Sequence, residues 1–222
     1  MEIKVLLIIC LTCGTCAIII YKIMVFGSDS FGVGGVRYVN MNFDVNKVFQ
    51  ERLAVSFGLD KYQYIMNQVR KTNIATDADF QRIYNGFYIV RRNAEWREIY
   101  YNHFEKVKTG TPTFASILTY LYEHTGNIEP SFSSKMLASI FPDKPIWDRY
   151  VVQNLGIQLA GTTKSERLKN AISLYSDIEK WYEFFLQTNK AQECIEIFDR
   201  VMPDYKHISS IKKIDSILWS IR

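Results

Sequence analysis

At 222 residues and 48% hydrophobic composition, the chain is long enough to bury one substantial core and lacks the makeup of a disordered protein. Its formal net charge of +4 permits a nucleic-acid partner without demanding one. Cys10, Cys13 and Cys16 fall in an apolar leader and Cys194 alone in the main domain, which excludes a disulfide framework there. The widely spaced His103, His124 and His207 have no zinc-ligand spacing.

The first element is the apolar run from Val5 to Phe26, about the length that crosses a bilayer, with Lys22 near its far end. It reads as a transmembrane anchor. Cys13-Gly-Thr-Cys16 has redox spacing, but it sits inside this run, where packing accounts for small residues. The alternative is a chain that starts at Met41, since Gly27, Gly32, Gly34 and Gly35 read as linker. The expected organisation is therefore an anchor over residues 1–26, a Gly-rich linker over 27–42 and a helical domain over 43–222.

From Asp44 onward, apolar residues recur at three- and four-residue spacing and long alternating runs are missing, so the expected class is all-α. Val45, Val48 and Phe49 open a first helix that runs toward Gly58, and Tyr62, Ile65 and Val69 mark a second. Thr76 with Asp79 reads as the capping pair of a helix through Phe80, Ile83, Tyr84 and Phe87. The stripe continues through Trp96, Ile99, Tyr100 and Phe104. Thr111-Pro112 signals a start with proline in the first turn, and Gly126 the stop, of a helix whose buried face is Phe114, Ile117, Leu118 and Leu121. After the Gly161-Thr162-Thr163 break, Leu168 to Phe185 trace one long helix; Cys194 and Phe198 mark another that Pro203 stops, and Ile211, Ile214 and Ile217 the last.

The stretch from Ser131 to Ile157 carries the chemistry. Lys135 is followed by Met136, Leu137, Ala138 and Ile140, so its amine emerges from an apolar helix where desolvation lowers a lysine pKa toward a nucleophile's range. Asp148 follows the Pro142 to Pro145 turn and opens a helix through Tyr150, Val151 and Leu155, where an N-terminal position favours an ionised carboxylate. The proline-bracketed turn can bring the two helices together.

Lys135 and the context Ile146-Trp147-Asp148-Arg149-Tyr150-Val151 resemble the helix-hairpin-helix DNA glycosylases, in particular the 8-oxoguanine glycosylase-like branch. The resemblance implies a compact helical domain that binds double-stranded DNA, extrudes a damaged purine and cleaves its N-glycosidic bond, with a further AP lyase step open. It implies that Lys135 attacks the sugar C1′ and that Asp148 supports the developing positive charge. Where that family carries a Gly-x-Gly hairpin for a DNA phosphate, this chain has Ser133 and Ser134. Tyr88 and Trp147 are candidate stacking platforms for a flipped base, with Arg91, Arg92 and Arg149 on the flanking phosphates; core packing of the rings and solvated arginines are the alternative at each position. Glu95 and Glu98 are placed to pair with Arg91 or Arg92 one helical turn away. No metal or organic cofactor is implied, since side chains supply both chemical roles. A cytoplasmic or nucleoid-associated monomer is expected, held at the membrane if residues 5–26 anchor it. The alternative is a membrane-tethered helical module that binds protein or nucleic acid without catalysis.

Overall fold

A computed structural model describes residues 32–33, 36–37, 43–52 and 58–221. The expected anchor at residues 5–26 and the start at Met41 lie outside them, and no helix among the described residues is long and apolar enough to cross a membrane. The described chain is all-α, as its periodicity predicts, with one addition. Inside the expected linker, β1 (Gly32–Val33) and β2 (Val36–Arg37) pair antiparallel, Gly32 opposite Arg37.

Polar caps set where most helices begin, because the first N–H groups of a helix have no acceptor of their own. Asp44 Oδ1 accepts the Asn46 and Lys47 N–H groups at 2.9 and 3.3 Å and starts α1 (Val45–Arg52). Residues 53–57, over which a longer first helix was expected to continue, are outside the described residues. After α2 (Leu59–Gln68), α3 (Ala78–Tyr88) starts behind Asp77, whose Oδ1 accepts the Phe80 N–H and whose Oδ2 accepts the Thr72 hydroxyl. The cap is thus Asp77 and not the expected Thr76–Asp79 pair, since a carboxylate one residue later reaches the third amide directly. Asn93 caps α4 (Ala94–Val107), so the Trp96 stripe is a separate helix. Thr113 and Ser116 form a reciprocal capping box on α5 (Phe114–Thr125), which puts Pro112 before the cap and not in the first turn.

Gly126, at φ 68, ends α5, and a four-residue turn leads into α6 (Pro130–Ile140), which packs against it as a helical hairpin. Then come α7 (Arg149–Asn154), α8 (Lys164–Phe185) behind a Thr163/Glu166 capping box, and α9 (Asn189–Val201) behind Thr188. A 3₁₀ turn over Pro203–Tyr205 precedes α10 (Ser210–Ser220), which packs on α9, α7 and α1.

Buried tyrosines tie parts of the core together through their rings and, at several positions, their hydroxyls. Tyr84 sits among Phe80, Tyr88, Tyr100, Tyr101 and Phe104, its hydroxyl 2.8 Å from that of Tyr100, while Tyr100 donates to the Phe132 carbonyl at 3.0 Å. This fastens α3, α4 and α6 together. Phe114 of α5 stacks on Tyr175 of α8 at 3.9 Å, and the Tyr175 hydroxyl reaches the Pro145 carbonyl at 2.8 Å, which pins the turn between α6 and α7.

Histidine also enters the core. His103 of α4 stacks on Tyr120 of α5 at 3.6 Å, and Tyr120 stacks on His124 at 3.8 Å. Burial, then the positive charges of Lys106 and His124, push the His103 pKa down from 6.5 to about 4. The fold therefore holds a neutral ring that the unfolded chain protonates near pH 6.5, so this contribution is present above that pH and is lost as pH falls toward 4. Urea unfolding at about pH 7 and about pH 4.5 should show His103→Phe losing about 2 kcal/mol less stability on acidification than the wild type.

Candidate functional site

Lys135 and Asp148, the two residues that the sequence offers for chemistry, lie on different elements, and local bonding brings them to one cavity. Lys135 lies in the second turn of α6. Asp148 caps α7, its Oδ1 accepting the Tyr150 N–H at 3.0 Å. Between them, the Ser134 hydroxyl, buried beside Lys135 in sequence, accepts the Trp147 N–H at 2.9 Å. A residue adjacent to the lysine thus holds a residue adjacent to the aspartate.

Lys135 and Asp148 both line a cavity of about 700 Å³. The exposed Lys61, Ile89, Arg91 and Arg149 sit on its wall at the solvent side, and the buried Ile146, Asp215 and Ser216 lie toward the interior. Tyr88, Phe87, Lys212 and Trp219 complete much of the remainder. The Lys135 Nζ donates to the Tyr88 carbonyl at 3.2 Å and stands 5.2 and 5.9 Å from the ring centres of Phe132 and Tyr88. Burial among these rings holds the amine below the ordinary lysine range. The negative charges of Asp148 and Asp215 oppose that shift, and Lys212 adds to it.

The other residues singled out from sequence divide into two groups. Arg91 and Arg149 are exposed on the cavity wall, and Tyr88 lines it too, its carbonyl hydrogen-bonded to Lys135 and its hydroxyl 3.4 Å from that of Ser139. Four residues are turned to other work. Trp147 is 7% exposed, with its ring parallel to Phe114 at 6.3 Å, so it packs the core and offers no stacking face. Arg92 meets Glu129 at 2.7 Å and lies over the Trp96 and Phe132 rings, so its partner is Glu129 and not the expected Glu95 or Glu98. Ser133 and Ser134 are fully buried and donate to the Glu129 and Ser131 carbonyls, which leaves them no surface for a phosphate.

The cavity also contains groups that sequence reading missed. Ile89 ends α3 in the left-handed conformation, at φ 55 and ψ 49, a place where glycine is usual, and its side chain is 55% exposed. Lys212, Asp215 and Trp219 come from α10, and the Trp219 ring meets Tyr150 edge-on at 6.2 Å. Nothing in the local pattern of α10 distinguishes these positions from an ordinary amphipathic helix. Ile89 had one available signal: a helix ending in Tyr-Ile-Val without the glycine its stop requires.

The described residues hold no cluster of His, Cys, Asp and Glu able to bind a metal. No family model matches the chain, and no curated protein or solved structure matches it either. If Trp147 is a core residue, Trp147→Ala should cost about 3 to 5 kcal/mol, measured by urea unfolding, whereas a solvent-facing platform would cost little.

Proposed function

We propose that this chain is a DNA glycosylase that removes a damaged purine through Lys135, with Asp148 in support. The observation that carries the reading is a desolvated lysine amine and a capping carboxylate lining one cavity of about 700 Å³, ample for an extruded nucleoside, with basic side chains on its solvent side. The amine is the rarer half of that pair. Desolvation raises the fraction of neutral, nucleophilic nitrogen, while the Asp148 carboxylate accepts the Tyr150 N–H at the head of α7.

In this reading, the Lys135 lone pair forms a bond to C1′ as the C1′–N bond to the base breaks. The bonding electrons leave with the base, which takes up a proton. The Asp148 carboxylate offsets the positive charge that grows on the sugar. The secondary ammonium so formed loses one proton, and its nitrogen lone pair makes the C1′=N bond as the C1′–O4′ electrons leave with O4′, which takes up a proton; the product is a protonated imine through which strand cleavage can follow. Lys61, Arg91 and Arg149 suit flanking phosphates, and Trp219 with Tyr150 supplies the aromatic surface that Trp147 does not.

Ile89 fits the same reading. A β-branched residue held in the left-handed region costs of the order of 1 to 2 kcal/mol, and here the strain presents an apolar side chain at the cavity wall. Such a side chain can fill the gap in a stacked duplex when a base is turned out. The non-catalytic alternative draws on the buried Ser133 and Ser134, which cannot replace the exposed amides of a glycine hairpin.

The test is borohydride trapping on duplexes that carry 8-oxoguanine or an abasic site. Wild type is expected to give a covalent adduct, Lys135→Gln none, and Asp148→Asn a yield lower by at least about tenfold. Lys135→Gln should keep its melting temperature within a few degrees of wild type, because it removes a desolvated charge from an apolar setting. A folded wild type that forms no adduct and releases no base would sink the reading and leave the binding module. Ile89→Gly should be more stable by about 1 kcal/mol in urea unfolding yet slower in releasing base from duplex, with trapping on an already abasic site little changed. Equal loss on both substrates would remove Ile89 from the extrusion step.

A further inference from the structure

Two charged side chains of the cavity take no part in the chemistry outlined above. Lys212 and Asp215 lie one turn apart on α10, with the Lys212 Nζ 3.0 Å from Asp215 Oδ2, and their side chains are 11% and 7% exposed. An ion pair this far from water is weak evidence for stability, because removing both charges from solvent offsets their attraction. Its effect on a neighbouring ionisable group is another matter, since charges act strongly on one another where water is excluded.

The geometry fixes both charges in place. The Lys212 ammonium rests over the rings of Tyr62 and Phe87, 5.3 and 5.5 Å from their centres, and is tied to Asp215 on its own helix. Asp215 shares the lining of this cavity with Tyr88 of α3, Lys135 of α6, Asp148 at the head of α7 and its own partner Lys212, and its charge also acts on Tyr62 of α2 and on Tyr175 and Tyr182 of α8. The cations in that set are Lys212 and Lys135, and both line the cavity with Asp148 and Asp215. Among the less exposed charged side chains of the cavity, the amine thus has one positive companion, Lys212, and two negative ones, Asp148 and Asp215, while Lys61, Arg91 and Arg149 lie exposed at the solvent side.

We propose that the Lys212–Asp215 pair of α10 sets the protonation of Lys135, Lys212 acting to discharge the amine and Asp215 to keep it charged. Both are positioning residues, since each acts through Lys135. The proposal concerns the amine of the site described above, and its chemical consequence rests on the glycosylase reading. The titration itself does not.

The experiment is limited acylation of the full chain with acetic anhydride across a pH series, with modification at Lys135 followed by peptide mass spectrometry. The Lys135 midpoint should rise by about one pH unit in Lys212→Gln and fall by about one unit in Asp215→Asn. Lys212→Arg and Asp215→Glu should return it toward wild type. The double variant Lys212→Gln/Asp215→Asn, whose amides can hydrogen-bond to each other, should titrate within about half a unit of wild type because the two effects oppose. It also decides the matter if a single variant does not fold. Midpoints that stay put, that move in one direction for both single variants, or a double variant displaced by a full unit, overturn the proposal.

Borohydride trapping on an abasic duplex, run over the same pH series, separates the two ideas. Midpoints that split with no adduct in any sample leave the tuning pair in place and remove the glycosylase reading. An adduct that forms with unsplit midpoints keeps the reading and removes the tuning pair.

Discussion

The hydrogen bond from the Trp147 N–H to the Ser134 hydroxyl is what makes a site out of two separate helices. Both groups are closed off from water, so a lost bond would leave a buried donor unsatisfied, which costs about 1 to 3 kcal/mol. Because the bond joins the immediate neighbours of Lys135 and Asp148, it transmits the position of α6 to the first residue of α7. The Tyr175 hydroxyl reinforces it by holding the Pro145 carbonyl from α8. The turn between α6 and α7 is thus clamped at both of its prolyl and tryptophanyl ends by side chains that have no chemical role.

Two carboxylates meet that lysine in contrasting surroundings. Asp148 accepts a helix N–H at the rim of the core, whereas Asp215 is buried, and burial pushes its carboxyl above the usual range against the pull of Lys212. One cap and one buried acid around a single amine give the site an internal asymmetry. Such asymmetry is how a protein assigns different tasks to chemically identical groups.

Helical class, helix order and the juxtaposition of Lys135 with Asp148 were legible in the sequence because each depends on contacts within about twenty residues. Apolar spacing marks the helix faces, Gly126 and Pro203 mark stops, and the proline turn returns the chain on itself. What was illegible came from farther away. Trp147 stood open between a stacking platform and a core ring until Phe114, from another helix, covered it. Arg92 was equally open until Glu129 claimed it. Lys212 and Asp215 follow Asp148 by more than sixty positions, and nothing in their own helix says that it closes a cavity against α6. Ile89 was hidden for a different reason, since a strained backbone is a property of the assembled fold and the residue type argues against it.

The tyrosine-rich core has a consequence at the alkaline end. The phenols of Tyr62, Tyr84, Tyr88, Tyr100, Tyr101, Tyr175 and Tyr182 are all raised above their ordinary value of 10.0, with burial the leading cause in each. Above about pH 10 the unfolded chain therefore sheds protons that the native state retains, and every such phenol steepens the loss of stability with rising pH. Alkali is also the condition that turns a lysine ammonium into a neutral amine. A solution basic enough to neutralise an ordinary lysine is therefore one in which this scaffold loses stability, so a neutral amine at Lys135 depends on burial and not on the solvent.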